Sequence, residues 1–223
     1  MSAIPMDPRA APVVRVDTDL SAVDAARLTP ESLRQRFLVP PHWTPDRLVE
    51  RMFVQREPIA AAVLIAIILR AQPTVLLTQR TTHLPTHAGQ IAFPGGKVDS
   101  QDGGARSAAL REAHEEVGLD ARWIDVIGEL PVYTTGSAFL VTPVVALVEP
   151  GFTLRPNPSE VADVFEVPLA HLMNPAHHQH HEGVREGQRR QWLSMPYQDG
   201  HQERFIWGAT AGMLRNLYRF LSA

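Results

Sequence analysis

The chain has 223 residues, of which 44% are hydrophobic, so it is long enough to bury the core of one large domain. Its formal net charge is -3 and its isoelectric point is about 6.4, which argues against the broad basic surface that nucleic-acid binding requires. Cysteine is absent, which excludes disulfides, thiolate metal sites and a cysteine nucleophile and favours a cytoplasmic location.

The N-terminal arm, residues 1–57, is predicted to be frayed over its first dozen residues and then to form two short helices. Met1 to Ala10 is interrupted by prolines and charges, unlike the apolar run of a signal peptide. Thr29 and Thr44 are capping residues, and each precedes a proline that would occupy the first helical position. The sequence leaves open whether this arm packs against the sheet or against a second copy in a homodimer.

A change of pattern after Pro58 marks the start of the predicted catalytic domain, residues 58–223. The longest apolar run, Ile59 to Leu69, is too short to cross a bilayer and is read as a buried strand, so no membrane segment is expected. Further strands are predicted at Thr74 to Gln79, Trp123 to Leu130, Phe139 to Val148, Gln191 to Pro196 and Glu203 to Trp207. Helices are predicted at Ala105 to Val117, Val167 to Met173 and Ala209 to Leu221. This order indicates a mixed α/β or α+β sandwich instead of a doubly wound parallel sheet.

Three glutamates in the first of these helices share one face. Glu112, Glu115 and Glu116 are spaced as i, i+3 and i+4, which brings their carboxylates together on an α-helix. Clustered carboxylates repel one another, and hard oxygen ligands suit Mg²⁺ or Mn²⁺, which bridge carboxylates to phosphates. Arg111 lies four residues before Glu115 and could hold it by a two-pronged hydrogen bond. Taken alone, the pattern also fits a solvated acidic helix face.

A glycine-containing segment upstream strengthens the metal interpretation. Between Phe93 and Lys97, two adjacent glycines let the backbone approach a ligand closely, and the Gly96 carbonyl could join a metal shell. A glycine pair alone is more often only a turn. The combination of this segment with the three glutamates at a fixed distance therefore predicts a site for metal and phosphate.

The segment from Gly96 to Leu119 resembles the Nudix box, which runs from a glycine through an acid to Arg-Glu-apolar-x-Glu-Glu-x-Gly-apolar. Arg111 to Leu119 matches fully, with Ala113 at the apolar position. Asp102 stands where the box has a glutamate, and eight residues instead of seven separate it from Arg111. The resemblance covers roughly residues 59–221. It implies a Nudix α/β/α sandwich with a mixed sheet, and a metal-dependent enzyme that hydrolyses a diphosphate.

A second motif looks like the one that marks coenzyme A pyrophosphatases, Nudix enzymes that also tolerate the altered spacing of the box. This resemblance implies cleavage of coenzyme A or its thioesters to adenosine 3′,5′-bisphosphate and 4′-phosphopantetheine. The motif residues are Leu76 to Thr81, Leu84, His87, Gly89, Gln90 and Phe93 to Gly96.

The resemblance also implies roles for the residues of the box. Glu112, Glu115 and Glu116 would be metal ligands, with the Gly96 carbonyl as a further candidate. Arg111 would orient a glutamate instead of touching the substrate.

Two roles remain with several candidates. The general base that removes a proton from water is assigned to Glu160, with Glu115 as the alternative, although Glu160 could equally be a surface loop acid. Arg80 and Lys97 are the candidates for binding the substrate's phosphates, ahead of Arg70, and each could instead be an exposed charge.

Histidines provide weaker signals. His87 could contact substrate or satisfy a backbone group in the turn before Gly89. The run of histidines between His177 and His181 invites a metal-site interpretation, but its polar surroundings favour a mobile loop. The stretch from Arg185 to Arg190 is a weak candidate for recognising the 3′-phosphate.

Two other functions stay open. The chain could be a Nudix hydrolase for nucleotide sugars, dinucleotides or oxidised nucleoside triphosphates, against which the segment from Leu76 to Gly96 argues. It could also be a Nudix-fold ligand sensor without activity. Such modules usually lose a glutamate of the box, and this chain retains all three.

Overall fold

The protein's structure is a computed structural model that describes residues 7–46, 57–84, 87–185 and 188–223. Its α-helices are α1 (Pro30–Leu38), α2 (Ala105–Val117), α3 (Leu169–Leu172) and α4 (Gly208–Ser222). The strands form two sheets. The smaller sheet contains β1 (Val13–Val16), β10 (Gln179–Arg185), β11 (Gln188–Asp199) and β12 (Gln202–Trp207). The larger sheet contains β2 (Ile59–Ile68), β3 (Thr74–Arg80), β4 (Ile91–Ala92), β5 (Gly95–Lys97), β6 (Ile124–Glu129), β7 (Tyr133–Thr134), β8 (Phe139–Val148) and β9 (Val161–Pro168).

Strands β2 and β8 form the centre of the larger sheet. They run parallel over their whole length, from Ile59 opposite Phe139 to Ile68 opposite Val148. Both are apolar runs rich in β-branched residues, as expected for strands covered on both faces. β3 and β5 pair antiparallel with β2, and β6 and β7 pair antiparallel with β8. The larger sheet is therefore mixed.

Each face of this sheet is covered by helices. Successive residues of a strand point to opposite faces, so neighbouring residues contact different helices. Leu64 packs with Ala113 of α2 in one buried cluster. Its neighbour Ile65 belongs to the other cluster, together with Leu33 of α1 and Leu214 of α4. The arrangement is an α/β/α sandwich, which confirms the fold class that the sequence predicts.

Helix α2 has the bounds that the sequence predicts, Ala105–Val117. It ends because Gly118 adopts φ 70°, a left-handed conformation, from which its N–H donates to the carbonyl of His114. Ala108 and Ala113 are fully buried, and such small side chains let the helix lie close to the sheet. Glu112 and Glu116 lie on the side of this helix that meets Gly95 and Gly96 of β5.

The chain between β9 and α3 departs from the prediction. The expected helix from Val167 to Met173 is shorter, because Val167 and Pro168 still pair with Val75 and Thr74 of β3. Strand β9 itself was not predicted. In this strand, buried apolar residues alternate with more exposed ones, some of them charged. One of these, Glu166, forms an ion pair with Arg70 at 2.7 Å.

The histidine-rich segment consists of the end of a 3₁₀-helix (Pro175–His177) and the start of strand β10, so the expectation of a mobile loop there is wrong. β10 pairs with β11 from Gln179 to Arg185 and with β1 on its other side. His178 and His181 are buried, at 0% and 2% exposure. Polar composition was misleading because these rings make hydrogen bonds inside the fold, for example from His181 to Ser194 at 2.8 Å.

Arg204 of β12 connects the smaller sheet to the larger one. Its guanidinium donates to Asp163 of β9 at 2.7 Å and to Gln79 of β3 at 3.2 Å, and it lies 4.1 Å from the centre of the Phe165 ring. The residue is 5% exposed. The late hairpin, which extends beyond the predicted Gln191 to Pro196 and Glu203 to Trp207, is thus fixed next to β3 and β9.

The N-terminal arm packs on the same core. Helix α1 begins after Thr29, whose side chain accepts from the Ser32 N–H, as a capping residue should. Arg27 donates to the last carbonyls of α4, including that of Leu221 at 3.2 Å. The second predicted helix, after Thr44, falls on residues outside those described. Within the described chain, the arm therefore packs against α4 of its own molecule, and the homodimer stays a prediction.

None of the helices in the described residues is long and apolar enough to span a membrane.

Candidate active site

Glu112 and Glu116 lie on the side of α2 that faces β5. Glu116 is only 3% exposed, and its Oε2 atom accepts from the Gly95 N–H at 3.2 Å. The Glu112 side chain is 17% exposed, whereas that of Glu115 is 55% exposed. The i, i+3 and i+4 spacing therefore brings three carboxylates to one face, but only two of them turn inward toward the glycine segment.

The two glycines of β5 are needed for this close approach. A Cβ atom on Gly95 would lie 2.4 Å from the Ala62 carbonyl oxygen, and one on Gly96 would lie 2.3 Å from Oε1 of Glu112. Both distances are below any real contact of a Cβ atom, so a side chain at either position would displace its neighbours. The missing side chains let the strand's backbone lie directly beside the carboxylates.

Arg111 holds the acidic residues around it. Its Nε and Nη2 atoms donate to both carboxylate oxygens of Asp102 at 3.1 and 2.9 Å. Its Nη1 donates to Glu112 at 2.9 Å and to Glu115 at 3.1 Å, and its Nη2 also donates to the Lys97 carbonyl. These bonds raise the pKa of Arg111 and lower that of Asp102. Asp102 thus reaches Arg111 despite its shorter side chain and the extra residue between them.

Arg80 ends β3 on the same face of the sheet. Its Nη1 atom lies 3.5 Å from Oε1 of Glu116, and its side chain is 24% exposed. Lys97 is placed differently. It pairs with Ala61 while Gly96 pairs with Ala62, so the exposed Lys97 side chain points to the opposite face from the one that Glu112 occupies. The Arg80 side chain therefore lies next to Glu116, whereas only the backbone of Lys97 lies near the glutamates.

Glu160 lies in the turn before β9, close enough to Glu112 and Glu116 for its charge to raise the pKa of both. Its carbonyl accepts from the Thr81 N–H at 2.9 Å, directly after Arg80. The turn thus carries a carboxylate to the edge of the acidic face.

Asn157 positions this turn, a role that the sequence did not reveal. Its N–H donates to the Glu116 carbonyl at 2.8 Å, and its own carbonyl accepts from the Glu160 N–H at 3.0 Å. Its side chain accepts from the Ser159 N–H. An asparagine followed by proline and serine is a turn signal that could have indicated this, but only the fold shows that the turn is tied to α2.

The other candidates lie apart from the glutamates or have other partners. The exposed His87 ring bonds the Gln90 side chain at 2.8 Å, and its carbonyl accepts from the Gln90 N–H. Arg70 forms an ion pair with Glu166 at 2.7 Å. In the Arg185 to Arg190 stretch, Arg189 pairs with Glu182 at 2.7 Å.

Burial sets the electrostatics of the two inward glutamates. Removal from water raises the pKa of Glu116 to about 7, although the Gly95 N–H and the charge of Arg80 act in the opposite direction. Burial also raises the pKa of Glu112, against the effect of Arg111. A cation between the buried Glu116 and the half-buried Glu112 would stabilise the charged form of both carboxylates.

These residues fit a divalent cation. They offer hard oxygen donors, and Gly96 leaves no side chain between its backbone and Glu112. Among the described residues, no three acidic or histidine side chains are already gathered as a coordination group, and Glu115 is turned outward to Arg111. The buried histidines do not supply one either, since both ring nitrogens of His178 and of His181 bond protein groups.

Comparison with known proteins finds similarities in sequence and in overall structure. A family model described as the NUDIX domain matches residues 58–187. A Salmonella paratyphi B protein named uncharacterized Nudix hydrolase NudL is 42% identical over 197 residues, covering 87% of this chain and 96% of the relative. Among solved structures, a Caenorhabditis elegans Ap4A hydrolase is similar over 50% of this chain and 80% of its own, with 22% identity and a TM-score of 0.42. An Enterococcus faecalis MutT/nudix family protein is similar over 87% of this chain and 75% of its own, with 14% identity and a TM-score of 0.46.

Proposed function

The chain belongs to the Nudix family, and from this premise we propose that it hydrolyses the diphosphate of coenzyme A or of a coenzyme A derivative. Nudix hydrolases cleave diphosphates of nucleoside derivatives and generally need divalent ions such as Mg²⁺ or Mn²⁺. The observation that supports the proposal best is the position of Arg80. It belongs to the coenzyme A pyrophosphatase-like motif and lies 3.5 Å from Glu116 of the Nudix box.

The reaction would be attack of water on a phosphorus atom of the diphosphate. Glu112, Glu115 and Glu116 would hold divalent ions, which would neutralise the charge of the diphosphate and lower the pKa of the attacking water. Glu160 would accept the proton of the attacking water, since it reaches the acidic face without being tied to Arg111. Arg111 would keep Glu112 and Glu115 in place through its bonds to Asp102, and no covalent enzyme intermediate is needed.

The substrate assignment depends on the segment between β3 and β5. Arg80 is anchored by its own N–H to the Gln90 carbonyl at 2.9 Å, and Thr81 binds the turn of Glu160. This segment thus borders the acidic face. The guanidinium of Arg80 would recognise phosphate oxygens in a fixed geometry. We propose weaker roles for His87 and Lys97, because the His87 ring already bonds Gln90 and the Lys97 side chain points to the other face of the sheet.

The test is incubation of the purified protein with coenzyme A and Mg²⁺ or Mn²⁺, followed by chromatography. Adenosine 3′,5′-bisphosphate and 4′-phosphopantetheine should appear in equal amounts. Parallel reactions with ADP-ribose, a dinucleoside polyphosphate and a nucleoside triphosphate provide the comparison. If one of these is cleaved and coenzyme A is not, the substrate assignment is wrong while the Nudix chemistry stands.

A matched pair of variants tests the site in the same assay. Glu116→Gln keeps an oxygen for the Gly95 N–H but loses the charge, so it should abolish turnover without unfolding the protein. Glu203→Gln, an exposed change on β12, should leave the rate unchanged. Retained activity in the Glu116 variant would contradict its assignment as a metal ligand.

A further inference from the structure

Arg80 and Arg111 reach the same group of glutamates, but they are held very differently. Arg111 makes hydrogen bonds of 2.9–3.1 Å to Asp102, Glu112 and Glu115. Arg80 meets Glu116 at 3.5 Å, longer than the 2.7–2.9 Å typical of a charge-assisted bond. Within the described residues its guanidinium forms no hydrogen bond to another group. One arginine is therefore fixed, and the other only supplies charge.

Glu116 requires such a charge. Its carboxylate is almost completely buried, and the Gly95 N–H is its one hydrogen-bond donor among the described residues. A buried carboxylate without an opposite charge is costly. Arg80 provides that charge from a side chain that is still 24% exposed. Its backbone is fixed by Gln90 and by pairing with Val161, so only the side chain has to move for the ion pair to separate.

Resting on the proposed metal-dependent function, we infer that Arg80 is the counter-ion of Glu116 only while no divalent cation is bound. When a cation binds to Glu116, the guanidinium of Arg80 leaves it and binds the substrate diphosphate. A guanidinium and a divalent cation that approach the same carboxylate repel each other. The side chain that leaves Glu116 stays next to the acidic face, because its backbone is anchored there, and a bound diphosphate would offer it a new anionic partner. The same arginine would thus stabilise the buried glutamate and later bind phosphate.

This exchange predicts that removing the charge of Arg80 strengthens metal binding. Without the arginine, the cation no longer has to displace a competing charge, so the dissociation constant for Mn²⁺ should fall by about tenfold. The metal-free variant should also be less stable than the wild type, and Mn²⁺ should restore more stability to it. An arginine too far from Glu116 to act as its counter-ion would change neither quantity.

The experiment is a titration of Mn²⁺ with the full-length protein, without substrate, in which free Mn²⁺ is measured by electron paramagnetic resonance. Arg80→Gln should bind Mn²⁺ about tenfold more tightly than the wild type. Arg80→Lys keeps the charge and should bind like the wild type. Arg34→Gln removes the same charge from α1, on the other face of the sheet, and should have no effect. Unchanged or weaker Mn²⁺ binding by Arg80→Gln would overturn the inference.

A second measurement does not depend on the folding of the glutamine variant. The Nε–Hε NMR signal of Arg80 in the wild type, identified by its absence in Arg80→Lys, should shift when Mg²⁺ is added. A signal that stays in place while Mg²⁺ binds would contradict the exchange but leave the proposed function intact. If the wild type binds neither Mn²⁺ nor Mg²⁺, the proposed metal-dependent function fails together with the inference.

Discussion

Gly96 lies directly against the carboxylate of Glu112, since a Cβ atom on Gly96 would lie 2.3 Å from Oε1 and 2.4 Å from Cδ of that side chain. These atoms are the end of a flexible side chain, not backbone. Gly96→Ala should therefore push the carboxylate aside and lower kcat/KM on the order of a hundredfold, while the free energy of unfolding changes by less than about 1 kcal/mol.

Steady-state kinetics and urea unfolding measure the two effects. Gly103→Ala is the matched control, because its Cβ would lie 3.3 Å from the Ser107 hydroxyl and near no glutamate. An active and stable Gly96→Ala would show that the position of the Glu112 carboxylate is not critical.

Asp102 should act through Arg111. Asp102→Asn keeps the shape of the side chain but loses the charge that binds both Nε and Nη2 of Arg111. The arginine then loosens its hold on Glu112, so kcat should fall on the order of ten- to a hundredfold. Asp99→Asn provides the control, since Asp99 is 67% exposed and 3.7 Å from Arg111. Equal rates in both variants would count against a positioning role.

Glu160→Gln tests the general base. The change should lower kcat on the order of a hundredfold or more, whereas the dissociation constant for Mn²⁺ should change by less than about threefold. Exposed Glu149 offers a control of the same chemistry in Glu149→Gln. If the glutamine variant at 160 keeps its rate, Glu115 becomes the next candidate. If Mn²⁺ binding is lost instead, Glu160 is a metal ligand.

His178 should make the protein sensitive to acid. Burial lowers the pKa of its ring to about 4, and Nδ1 accepts from Arg215, so the neutral form donates from Nε2 to the Leu172 carbonyl. Between about pH 6.5 and 4 the unfolded chain binds a proton that the folded chain does not. Stability therefore falls as the pH is lowered through this range, by about 3 kcal/mol from this ring.

Urea unfolding at several pH values measures this loss for the wild type and for His178→Gln, which cannot titrate. The variant should show a smaller fall between pH 6.5 and 4. His201→Gln, in an exposed turn, should behave like the wild type. Parallel curves for the wild type and the His178 variant would mean that another group causes the acid sensitivity.

The N-terminal arm should contribute to global stability. Leu33 of α1 is fully buried in the cluster that contains α4, so Leu33→Ala should cost about 2–5 kcal/mol of unfolding free energy. Leu38, on the same helix, is 77% exposed, and Leu38→Ala should change it by less than about 0.5 kcal/mol. Similar unfolding curves for both variants would show that the arm folds separately from the core.

Local signals in the sequence determined much of this protein. The bounds of α2 follow from its alanine-rich run and from Gly118, because helix ends depend on neighbours within one or two turns. The spacing of Glu112 and Glu116 determined that they share a face, and adjacent glycines indicated a close approach of backbone. The apolar runs of β2 and β8 also follow from composition, since buried strands need such residues whatever their order in the sheet.

Only the tertiary structure decided which of these elements meet. The contact of Arg80 with Glu116, and the approach of Glu160 to the same face, depend on the pairing of β3 with β9 and on the tie between Asn157 and α2. His181 became a buried, hydrogen-bonded residue because β10 pairs with β1 on one side and with β11 on the other. Such contacts join residues far apart in the chain, and they are set by strand register and packing, which no local pattern of residues specifies.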